Sequence, residues 1–237
     1  MVCNSGVSLT PVVEGRTLQF GHRGLVNGLS VLGDHETGSY WDHITGECIS
    51  GPLVGRRLPI APLLHETAAS ASARHDGALI AISRPSLFGR FMGRVAEWTR
   101  VSKRGFLPPG FRGTMESVDA RLPEMTLGLG IWNDRAARFY PLDQIRRQTS
   151  GLTDRLGAEV VQISVDVETR IPAAVHVEQE ADIRSNGADG ARSEPALPTT
   201  AAGSGFPEAP PRSRPMQLFT RWYGFVLTFP NCEIYGG

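Results

Sequence analysis

Through residues 1–60 apolar side chains come in short runs broken by glycine and Asx residues, which predicts a β meander without long helices. Val7, Leu9, Val12 and Val13 lead to a hairpin turn at Glu14-Gly15, followed by the alternation Thr17-Leu18-Gln19-Phe20. Leu25-Val26 with Leu29 to Leu32 suggests one further strand, ended by Gly33-Asp34. Beyond it the Asp34 carboxylate is placed to close an Asx turn across His35, Glu36, Thr37 and Gly38, with Gly38 free to take positive φ. Ser39-Tyr40-Trp41 then leaves as a strand, Thr45-Gly46 reverses the chain, and Gly51-Pro52 and Gly55 punctuate the next ten residues.

The period changes in the middle of the chain. Leu87, Phe88, Phe91, Met92, Val95, Trp98 and Val101 fall at helical spacing, with Arg90, Arg94, Arg100 and Lys103 elsewhere on the wheel. The spacing predicts a helix over about 86–102 that covers a sheet and keeps its polar face wet, although a basic amphipathic helix could also lie on a membrane or engage a partner. A breaker stretch over 105–118 comes next. Met125–Trp132 and Arg135–Tyr140 read as a hairpin around Asn133-Asp134, Pro141 opens a short helix, and 158–167 and 171–177 read as neighbouring strands. Residues 178–215 are rich in Pro, Gly, Ala, Ser and charge, which predicts a disordered or inserted loop. In 216–237, Leu218, Phe219, Trp222, Tyr223, Val226 and Phe229 match a helix docking on the core. The expected fold class is therefore α+β, mainly antiparallel sheet with a few covering helices. A core spanning 1–177 is completed by the C-terminal aromatic segment.

Composition narrows the partners. Lys+Arg and Asp+Glu are equal at 24 each in 237 residues, which argues against nucleic acid or an anionic membrane as the main partner. No apolar run approaches the ~20 residues of a transmembrane segment. Cys3, Cys48 and Cys232 form no disulfide framework. Nothing names a cofactor, a small-molecule ligand or a protein partner.

Three candidate chemistries are open. Cys3 could belong to a thiol or metal pair, but one sulfur completes neither. His22, His35, His43 and Cys48, with Asp34 and Glu36, have metal-ligating side chains at spacings that match no standard site, and scattered histidines are the simpler reading. Ser5 and Ser39 sit beside glycines without the frame of a nucleophile elbow. No catalytic or metal residue is assigned. If a ligand site exists, Cys3, Asp34, Thr37, Ser39, Trp41 and Thr45 line it; otherwise the same side chains serve their own backbone.

With those residues in view, the chain resembles a bacterial family known as domain of unknown function 3179. The resemblance rests on Cys3-Asn4-Ser5-Gly6, on Asp34, Thr37-Gly38-Ser39, Trp41 and Thr45-Gly46, and on Gly51-Pro52-Leu53, Gly55 and Leu58. It continues through Ala137-Arg138-Phe139-Tyr140-Pro141-Leu142 and through Trp222 to Tyr235. The resemblance implies no activity. It does imply a Cys-x-x-Cys opening of which Cys3 is the second cysteine, so that a cysteine, a strand and an export signal are expected upstream of Met1. As written the chain reads as cytoplasmic; with such a signal it would be extracytoplasmic. Two functions are expected from this: a non-catalytic ligand-binding or interaction domain, or a thiol- or metal-dependent protein whose cysteine pair is completed upstream.

Overall fold

The structure, a computed structural model, describes residues 6–63, 65, 67–74, 77, 79, 86–98, 107, 109–148, 151–167, 169–177 and 214–237. The fold is α+β and dominated by antiparallel sheet. Strands β1 (Val7–Leu9) and β8 (Ile60–Pro62) pair with each other, as do β2 (Val12–Val13) and β3 (Arg16–Thr17). The latter hairpin turns on Glu14 and Gly15, both at positive φ, as the sequence suggests.

Next comes a four-stranded meander of β4 (Phe20–Val26), β5 (Leu29–Asp34), β6 (Tyr40–Asp42) and β7 (Cys48–Ser50). Leu25 to Leu32 is not one strand. Asn27 (φ 54°) and Gly28 (φ 68°) form a tight hairpin tip between β4 and β5, the turn that this dipeptide favours. The tip is fastened to residues 114–116: Asn27 N donates to the Thr114 carbonyl, Gly28 N to Thr114 Oγ1, and Glu116 N to Asn27 Oδ1.

The centre of the molecule is a second four-stranded sheet, in the order β14 (Met216–Arg221), β9 (Leu127–Trp132), β10 (Ala137–Pro141), β15 (Glu233–Ile234). β9 and β10 form the expected hairpin, with Asn133 Oδ1 accepting from Arg135 N and Ala136 N at its turn. This sheet is buried on both faces. Leu129, Ile131, Tyr140 and Phe219 point to a core shared with α4 (Leu142–Arg147) and the meander of β11 (Leu152–Leu156), β12 (Glu159–Val165) and β13 (Pro172–His176). Trp132, Phe139 and Leu218 point the other way, onto α5 (Trp222–Thr228). Gly128 and Gly130 lie on that second face, and a Cβ on Gly130 would overlap the Phe225 ring. The bare backbone thus lets an aromatic helix lie close to the sheet.

The C-terminal segment departs from expectation. Residues 216–221 are strand rather than helix; only Trp222 onward is helical. The reason is two-sided burial: Met216 and Leu218 face one core and Phe219 faces the other, so the apolar run carries neither period. The Gln217 side-chain amide bonds both the N–H (2.7 Å) and the carbonyl (2.9 Å) of Ala174 on β13, an edge strand of the three-stranded meander.

The covering helix also differs from its expected role. α2 (Leu87–Trp98) forms within the expected 86–102, of which 99–102 lie outside the described residues, and it is begun by Ser86, whose Oγ accepts from Gly89 N. Yet Leu87, Phe88, Phe91 and Met92 are exposed, and none of the described apolar cores includes a residue of α2. Nothing described lies within 4 Å of the space a Cβ would take on Gly93. Two shorter helices, α1 (Ala68–Arg74) and α3 (Pro109–Arg112), complete the elements; α3 falls inside the expected breaker stretch. Of the expected loop over 178–215, all but Arg214 and Pro215 lies outside the described residues. No described helix is long and apolar enough to cross a membrane.

Candidate functional site

The glycine-punctuated block from β5 to residue 58 is built around one carboxylate. Asp34 ends β5, is fully buried, and points back across the turn beyond it. Its Oδ1 accepts from Thr37 N (2.5 Å), Gly38 N (3.1 Å) and Thr37 Oγ1 (2.8 Å). Its Oδ2 accepts from the indole Nε1 of Trp41 at 2.8 Å. Trp41 is itself wholly buried, edge-on to Phe20 with ring centroids 5.9 Å apart.

The hydroxyls around Asp34 form a directed chain. A carboxylate only accepts, so the single Thr37 hydroxyl hydrogen points at Asp34. The 2.6 Å contact between Thr37 Oγ1 and Ser39 Oγ must then have Ser39 as donor. Ser39 Oγ in turn accepts from Leu53 N at 3.2 Å, which ties the loop after β7 to the turn after β5. A second knot repeats the device: Asp42 Oδ1 accepts from Ile44 N, Thr45 N and Thr45 Oγ1.

Burial alone would raise the Asp34 pKa. The hydrogen bonds from Trp41, Thr37 and Gly38 outweigh it and hold the carboxyl below its ordinary value. Asp34 is therefore ionised at neutral pH with its acceptor sites taken by its own chain. Cys48, whose thiol donates to the Ser50 carbonyl, is pushed upward by burial. Cys232 is pushed up to about 11, again chiefly by burial. Both are protonated thiols at neutral pH, the unreactive form.

Of the residues read from sequence, Asp34, Thr37, Ser39 and Trp41 meet in one network, while Thr45 belongs to the neighbouring Asp42 knot. Cys3 lies outside the described residues. Glu36, one of the metal-ligating side chains weighed above, instead accepts from Gln19 N. Among the described residues no three or more His, Cys, Asp and Glu side chains converge on a point.

Backbone contact makes the block rigid. Gly51 sits at φ 102°, and a Cβ there would lie 2.7 Å from Ser39 Cα. Gly51→Ala should destabilise the protein by about 2 kcal/mol, from enforced overlap with backbone. Gly38, at φ 72° with open space around it, should lose only about 1 kcal/mol on the same change. Urea unfolding midpoints of the two variants check this; equal losses would show that the Ser39–Gly51 contact is not tight.

A second polar cluster gave no local sequence signal. Arg138 on β10 pairs with Asp154 (2.5 Å) on β11 and with Glu233 on β15, and it donates to the Arg155 carbonyl. Tyr140 donates to the same Asp154 carboxylate at 2.8 Å and stacks on Tyr235 at 5.4 Å. Burial, then the Asp154 carboxylate, push the Tyr140 phenol well above its usual range. Burial alone would lower the Arg138 pKa, but Glu233 and Asp154 raise it. This clamp joins three strands, with one guanidinium shared between two carboxylates.

No curated protein and no solved structure matches the chain. The family described as "Protein of unknown function (DUF3179)" matches residues 1–202, most of the chain, and takes in the Asp34 and Asp42 knots and the Arg138–Asp154 pair. The chain therefore belongs to the DUF3179 family.

Proposed function

We propose that the protein is a non-catalytic interaction domain that meets other molecules through α2. The observation that carries this reading is the uncovered apolar face of that helix: Leu87, Phe88 and Phe91 are 83%, 73% and 62% exposed. Single exposed apolar residues are ordinary, but a contiguous apolar face on one helix marks a surface that some partner covers. The two polar clusters support the same reading in a complementary way. The Asp34 carboxylate is engaged by Trp41, Thr37 and Gly38, and the Arg138 guanidinium by Asp154 and Glu233, so both act as internal fasteners.

A stability measurement tests the proposal. The triple variant Phe88→Gln, Phe91→Gln, Met92→Gln should unfold within about 1 kcal/mol of the parent, as changes at wet surface positions do. A loss of several kcal/mol, the scale of truncating buried aromatic side chains, would mean that α2 covers a core and is not an interaction surface.

A further inference from the structure

Resting on the reading of α2 as an interaction surface, we infer that its partner is an anionic lipid bilayer, on which the helix lies flat. At ~100° per residue, Leu87, Phe88, Phe91, Met92 and Val95 occupy an arc of roughly 140°. Arg90 and Arg94 lie immediately beside one edge of that arc. Gly89 and Gly93 fall on the back. Leu87, Arg90, Phe91, Gly93 and Arg94 together line an open cleft along the helix flank. Two guanidiniums bordering a leucine and a phenylalanine match the boundary of a phospholipid layer, where phosphate oxygens lie beside acyl chain. In that position the aromatic face enters the apolar layer, while the arginine stems reach back so that their heads bond phosphate.

Charge favours the anionic surface over other apolar partners. The stretch 84–104 carries Arg84, Arg90, Arg94, Arg100, Lys103 and Arg104 against the single acid Glu97. The balanced charge of the whole chain argues against attraction of the molecule as a whole, but attraction at the membrane is felt only within a Debye length of roughly 8–10 Å. What counts is the charge beside the apolar face itself, and there Arg90 and Arg94 border Leu87 and Phe91.

The experiment is co-sedimentation of the full chain with vesicles of phosphatidylglycerol and phosphatidylcholine in equal parts, and with vesicles of phosphatidylcholine alone, alongside sedimentation velocity of the free protein. The parent should pellet with the anionic vesicles only, and high salt should release it. Arg90→Gln with Arg94→Gln should weaken binding about thirtyfold, from about fivefold per arginine at such a surface. Phe88→Gln with Phe91→Gln should abolish binding while the chain stays folded. If the folded parent ignores both vesicles, or binds both equally, the lipid inference is overturned while the interaction reading stands. If the phenylalanine variant unfolds, both fall. If the free parent is a dimer that this variant dissociates, the occupant of the face is a second copy, and the lipid inference is again overturned.

Discussion

Replacing Asp34 by alanine is expected to cost about 3–4 kcal/mol of folding free energy, because it strands the buried Trp41 indole donor and takes the acceptor from the Thr37 and Gly38 donors of the turn. The Trp41 indole N–H, in a wholly buried ring, loses its partner outright. Thr37 N and Gly38 N lose the carboxylate too, although both lie nearer to solvent and water can compensate them in part. Trp41→Phe removes the donor instead and should cost less. The double variant should then fall well short of the sum of the two single losses, as expected for groups bonded to each other. Chemical denaturation of the four proteins gives the cycle; strict additivity would mean that the indole–carboxylate bond contributes nothing.

The same carboxylate sets a pH dependence. Its pKa is depressed in the folded chain relative to an unfolded value near 3.9, so the folded state favours the ionised form. The stabilisation is complete above the unfolded pKa and is lost as pH falls through the lower folded value. Stability should therefore decline with acid in the window below about pH 4. Asp119 is shifted in the same direction, chiefly by its bond from Arg121 N, so the parent's curve alone is not specific. Asp34→Asn should be less stable at neutral pH and should fall less steeply with acid than the parent. Parallel curves would show that Asp34 is not the group responsible.

The second large effect is expected at Gly130, where alanine should cost about 3 kcal/mol or more, at the upper end of overpacking penalties. Its Cβ would overlap the Phe225 ring. That ring is locked between Phe139 and Phe229, at centroid distances of 5.7 and 4.9 Å, and is fully buried. With no room for the ring to swing, α5 must lift from the sheet. Gly130→Ala combined with Phe225→Leu should recover part of the loss, because the smaller side chain vacates the space. Thermal unfolding of the single and double variants checks this; a neutral single variant would mean that α5 does not lie against β9 as described.

How much of the structure is legible in the sequence depends on the range of the interactions. The Asp34–Thr37–Gly38 turn is legible because its partners are three and four residues apart. The Asn133 hairpin and the helical spacing of α2 are legible for the same reason. The Trp41 indole bond spans seven residues and the turn between β5 and β6, and no local pattern announces it. Arg138 and Glu233 are 95 positions apart, so their clamp emerges only when β10 and β15 pair. The strand at 216–221 reads as helix because both its faces are apolar, which erases the alternation that marks a half-buried strand. For α2 the spacing gives the helix and its face but not what covers it, since amphipathicity is the same for a core cover and a docking surface.

Hydrogen exchange of the native chain tests the central claim most directly, since that claim contrasts a self-fastened block with a helix whose Leu87, Phe88, Phe91 and Met92 are exposed. The amides of Thr37, Gly38, Ile44, Thr45 and Leu53 all donate to side-chain oxygens of the block. They should exchange only through large-scale unfolding, while the amides of Leu87–Trp98 exchange through local opening. Fast exchange across the block together with strong protection of α2 would contradict the account.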